Sequence, residues 1–158
     1  MASPDEVQPE SLKDEVHNLI EEARMVLPGI QALFGFQLIA VFNDRFEQLA
    51  ELAQMLHLCA TLMVALSVLL IMTPAAYHRI AEPDAVSRRF TRLASKSIAL
   101  AMIPFALAMS IEIAIITHIV TASVRAAVAT SVIAAIASMG AWFAWPLLAR
   151  HPRKAPAK

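Results

Sequence analysis

Glycine is nearly absent from this 158-residue chain. Only Gly29, Gly35 and Gly140 occur, too few and too scattered for a phosphate-cradling loop or a nucleophile elbow. The single cysteine, Cys59, excludes an intrachain disulfide and any cysteine-cluster metal site; lying in an apolar run, it reads as a small buried thiol. No two histidines stand one helical turn apart, so the usual metal-ligand pair is missing as well. Charge is scarce: Asp, Glu, Lys and Arg make up 16% of the residues, against about 25% in a soluble domain. The two signs cancel, with 13 bases against 13 acids, so the whole chain carries no electrostatic footprint for a nucleic acid. The N-terminus opens on an acidic, proline-containing stretch, which is not the basic-then-apolar pattern of a cleaved signal peptide. Enzymatic activity is therefore not expected, and neither is a cofactor or a bound metal.

What the chain has instead is apolar sequence, 58% of its residues, with a mean hydropathy of +0.61. The charges fall in blocks between long runs that hold almost none, so lipid rather than a soluble core must absorb the apolar surface. Four runs, over about residues 25–42, 52–73, 97–120 and 126–148, lie in the length range of a bilayer crossing at about 1.5 Å per residue. They are continuous rather than alternating, which excludes the strands of a membrane β-barrel. Residues 1–10 read as a disordered tail and 149–158 as a basic cytoplasmic tail. Between the first tail and the first span, residues 11–24 form an amphipathic pattern: Ser11 offers a capping start, and Leu12, Val16, Leu19, Ile20 and Ala23 recur at helical spacing. Pro28 and Gly29 predict a bend where this helix enters the span. The expected fold is all-α, a polytopic membrane protein of four transmembrane helices with an N-terminal amphipathic cytoplasmic helix.

Orientation follows from the basic residues. Eleven fall on the two ends and the second connection, and only Arg45 and Arg125 fall on the other two connections. This bias predicts a bacterial-type inner membrane protein with both termini and the second connection cytoplasmic. Trp142 and Trp145, just before the basic tail, fit an aromatic belt, and Tyr77, His78 and Arg79 fit lipid headgroups at the same interface. Glu82-Pro83-Asp84 reads as a helix start, after which Arg88, Arg92 and Lys96, with Arg89, form a cytoplasmic basic face. That face is either the topology signal alone or a dock for the acidic helix 11–24.

Within the spans, Glu112 is the lone acidic residue, and an ionisable group in hydrocarbon costs at least about 2.5 kcal/mol on insertion scales. Something must compensate it. Gln37 and His57 lie at similar depth, about six to eight residues from the outer ends of their own spans, so a His–Glu pair with an amide beside it is one arrangement. His118, six residues beyond Glu112, points about 120° away and belongs elsewhere. The group reads either as a proton- or cation-handling site or as a hydrogen-bonded clasp between helices. Pro104 should bend the third span and free the carbonyl of Leu100, and Ala127, Ser131, Ala134, Ala135, Ser138 and Ala141 form a small-residue face on the fourth.

Residues 23–38 read ARMVLPGIQALFGFQL, followed by Asn43-Asp44-Arg45-Phe46 and, after the second span, Pro74-Ala75-Ala76-Tyr77-His78-Arg79. This combination resembles an uncharacterised bacterial family of small four-helix integral membrane proteins, a domain of unknown function, over roughly residues 21–148. The resemblance implies the same topology and carries no assigned site residues. Two function classes remain. One is a homo-oligomeric ion channel or small transporter passing small ions, since four short helices need symmetric partners to enclose an aqueous path. The other is a non-conducting accessory or assembly protein in which Glu112 is a structural clasp. The expected partners are the lipid bilayer and further copies of the chain.

Overall fold

The computed structural model describes residues 12–82 and 87–149. The expected tail 1–10, the cap at Ser11, residues 83–84 of the helix-start signal and almost all of the basic tail 149–158 lie outside the described residues.

All regular structure among the described residues is helical. α1 runs Leu12–Ala40, α2 Glu51–Ala81, α3 Arg88–Thr121 and α4 Val124–Met139; a π-helical turn, Gly140–Ala144, then joins α4 to the short α5, Trp145–Leu148. The helices that carry the four predicted spans are long and apolar enough to cross a membrane. Their packing fits lipid better than water. The largest side chains with almost no exposure are only Val64 and Ser67, while Leu62, Leu66, Leu69, Ile116, Ile119, Val132 and Ile136 are exposed. Small residues inside and large apolar ones outside is the arrangement expected where lipid tails are as apolar as the core.

On α2 the buried positions His57, Ala60, Thr61, Val64, Ser67, Ile71 and Pro74 recur at helical spacing and form one stripe. α2 packs on α3, where Ala94, Ser97, Ala101 and Ala108 are buried and their short side chains let the two backbones approach. α1 adds Ile30 and Gln37 to this seam. α4 packs on α3 and has one buried residue, Ala127. Ser131, Ala134, Ala135 and Ser138 are half-buried, so the small-residue face serves a seam within the subunit. The helices therefore form a three-helix core with α4 laid on its outside, rather than a four-helix bundle closed into a ring.

The local structure refines these expectations and corrects one of them, the burial of Cys59. Helical structure runs unbroken through Pro28, so the amphipathic segment and the first span are one helix. Proline has no N–H to give the carbonyl four residues back, yet a single lost bond does not end a helix whose neighbouring turns remain bonded. The third helix starts at Arg88, capped by Ser87, whose Oγ accepts from Phe90 N at 3.1 Å. Glu82 accepts from Ser87 Oγ at 2.8 Å and from Ser87 N at 3.1 Å. Cys59 is exposed rather than buried, since two residues beyond inward-facing His57 it has turned about 200° around α2. Among the described residues no ion pair joins Glu15, Glu21 or Glu22 to Arg88, Arg89, Arg92 or Lys96. All four of those basic residues are exposed.

Candidate functional site

Gln37, His57 and Glu112 meet where α1, α2 and α3 converge near the end of the molecule that carries the 41–50 connection. Each sits on the buried stripe of its own helix: Gln37 seven residues after Ile30, His57 three before Ala60, and Glu112 four after Ala108 and three before Ile115. Gln37 is 3% exposed, His57 6%, and the Glu112 side chain 17%.

The contacts converge on one carboxylate oxygen. Glu112 Oε1 lies 2.9 Å from His57 Nδ1 and accepts from Gln37 Nε2, also at 2.9 Å. On the other side of the imidazole, His57 Nε2 faces the backbone carbonyl of Gln37 at 3.0 Å. A carbonyl oxygen only accepts, so Nε2 carries a hydrogen and donates it. One further proton must then lie between Nδ1 and Oε1, on the imidazole as an ion pair or on the carboxyl as a neutral pair. Either placement leaves the pair with no net charge, which lowers the desolvation cost of holding it among apolar helices. The geometry is that of a one-proton site joining three helices, with Glu112 Oε2 outside both bonds. Gln37 Oε1 is buried without a partner, leaving one acceptor unspent beside the carboxyl.

The 41–50 connection covers this site. The ring of Phe46 meets that of His57 edge-on, with centroids 5.3 Å apart. Gln54, in the first turn of α2, holds the connection in place by donating to the carbonyls of Leu49 at 3.0 Å, Phe46 at 3.3 Å and Glu47 at 3.4 Å. Within the helix, Thr61 Oγ1 donates to the His57 carbonyl at 2.9 Å. Gln54 and Phe46 have no counterpart among the sequence expectations. A neutral amide at the mouth of a span is the signal that could have found Gln54; Phe46 carried none beyond its place in the Asn43–Phe46 motif.

The remaining expected residues are elsewhere. His118 is exposed on the last turn of α3, as its spacing from Glu112 predicts. Tyr77 and His78 turn toward Phe90 of α3, with ring centroids 6.4 Å and 5.1 Å away, and Tyr77 Oη reaches Glu82 Oε1 at 3.5 Å. Only Arg79 of that trio is exposed. Trp142 stacks on Phe105 at 6.0 Å from within the π-helical turn, whereas Trp145 is 76% exposed. Pro104 lies inside α3 beside that stacked pair. Among the described residues no group of three or more His, Cys, Asp or Glu is placed to hold a metal ion.

The described residues are an all-α chain with four helices long and apolar enough to cross a membrane, small residues at their seams and a buried carboxylate–imidazole pair. A family model described as Family of unknown function (DUF6328) matches residues 5–146, and the chain belongs to that family. No curated protein and no solved structure matches it.

Proposed function

We propose that the protein is a non-enzymatic component of a bacterial-type inner membrane, with both ends cytoplasmic, in which Gln37, His57 and Glu112 form a proton-bearing clasp between α1, α2 and α3. In this role the protein acts as a non-conducting accessory or assembly partner, and the clasp sets which helix faces it offers to the bilayer and to further copies of itself. The observation that supports this reading is the convergence of hydrogen bonds from two helices on a single carboxyl oxygen carried by a third. Loose polar groups would be expensive at that depth, and interhelical hydrogen bonds there hold helices in register.

A second reading, a homo-oligomeric ion channel or small transporter, is favoured by a separate observation. The Glu112 side chain keeps 17% exposure, its Oε2 lies outside the clasp, and Gln37 Oε1 is a buried acceptor with no donor. A proton or small cation arriving at Glu112 would find acceptors waiting. Ion flux into proteoliposomes separates the two. Under the clasp reading, flux stays at the level of protein-free vesicles and Glu112→Gln changes neither flux nor subunit number. A flux that responds to pH and is abolished by Glu112→Gln would refute the non-conducting role.

A further inference from the structure

At the opposite end from the clasp, the N-terminal half of α1 leaves a groove of about 640 Å³ against α2 and the start of α3. That volume lies within the ~300–1,000 Å³ of pockets that enclose small ligands. Its walls are mainly apolar, with Leu19 and Leu27 from α1, Ile71 from α2, and Ala94 and Ile98 from α3. Two arginines and a histidine break this pattern: Arg24 on α1, and Arg79 and His78 on α2.

The arginine charges are poorly neutralised. Arg79 has no ion-pair partner among the described residues, and Arg24 pairs there only with Glu21 at 3.7 Å, in a pair whose members are 75% and 50% exposed. The acid nearest Arg79 in sequence, Glu82, is engaged by Tyr77 and Ser87. His78 Nδ1 is buried without a partner, so a hydrogen bond from this ring to a bound molecule runs through Nε2. An apolar trough with an under-neutralised cationic rim, at the end of the molecule where basic residues concentrate, complements a molecule with a long apolar body and an anionic head.

We propose that this groove binds one anionic phospholipid, with an acyl chain along Leu19, Leu27, Ile71 and Ile98 and the phosphate between Arg79 and Arg24. The proposal rests on the reading that the chain spans a membrane. It is therefore tested on protein already shown to resist carbonate extraction from membranes, so that failure of the groove is distinct from failure of that reading.

Native mass spectrometry of the detergent-purified full chain, titrated with phosphatidylglycerol or phosphatidylcholine of matched chains, measures the lipid retained. Phosphatidylglycerol should be retained more tightly than phosphatidylcholine, and Arg79→Gln and Arg24→Gln should each weaken it by about 5-fold. Arg125→Gln, at the other end, should leave it unchanged. Ala75→Phe, which crowds the apolar wall and keeps every charge, should weaken both lipids. Equal retention of the two lipids, loss on Arg125→Gln as large as on Arg79→Gln, or glycerol phosphate competing as well as the intact lipid would overturn the proposal. So would cross-linking from a photoreactive residue at Met72 that captures the chain's own N-terminal residues or a second copy in place of lipid.

Discussion

Removing the Glu112 carboxylate leaves two buried polar groups, the Gln37 amide and His57 Nδ1, without their shared partner, and the cost can be worked from the geometry. Glu112→Ala strips the acceptor from Gln37 Nε2 and the partner from His57 Nδ1, both 2.9 Å away on residues that are 3% and 6% exposed. An unsatisfied buried group costs about 1–3 kcal/mol in a soluble core. Interhelical bonds measured inside a membrane protein average nearer ~0.6 kcal/mol, with a maximum of ~1.7, because freed groups find other partners. Two bonds between those limits give an expected loss of about 2 kcal/mol. Glu112→Gln keeps one acceptor oxygen for the Gln37 amide and can turn its own amide toward the neutral imidazole. Both native bonds meet at one oxygen, however, so the side chain must rotate to make both, and about 1 kcal/mol is expected. The assay is reversible unfolding in mixed micelles, followed by far-UV circular dichroism, for the cycle of Glu112→Ala, His57→Ala and the double variant. A coupling of about 1 kcal/mol or more is expected, and exposed His118→Ala should stay within about 0.5 kcal/mol of the parent. A coupling below about 0.3 kcal/mol, inside the additivity error for independent sites, would refute the clasp.

Three further outcomes follow from the same contacts. Gln54→Ala should cost about 1 kcal/mol and speed hydrogen exchange at Gln48 and Leu49, because it removes the donor that ties three carbonyls of the 41–50 connection to α2. Ala122→Gly should raise stability by about 1 kcal/mol in the same unfolding assay, since Ala122 ends α3 at φ 51°, a left-handed conformation that favours glycine. Reporters that are active only in the cytoplasm should work when fused at either terminus or in the second connection and fail near Asp44 or Ser123; labelling of a cysteine at position 89 from outside intact cells would reverse the topology.

The four helices long and apolar enough to cross a membrane were legible in the sequence because hydrophobicity over a bilayer's thickness is a property of consecutive residues and needs no knowledge of neighbours. Glu112 could be singled out for the same reason, since its solvation penalty exists before any partner is chosen, and depth matching was enough to nominate His57 and Gln37. The rest depended on how each helix is rotated and against which neighbour it packs. Only the tertiary structure determined that the Gln37 backbone carbonyl also meets His57, that Phe46 closes over the imidazole, and that Tyr77 and His78 turn to Phe90 rather than outward. Helical periodicity fixes which residues share a face but not where that face points. For the same reason α4, whose small-residue stripe suited a closed bundle equally well, lies on the outside of α3, because association in lipid follows local fit between backbones rather than a need to hide apolar surface.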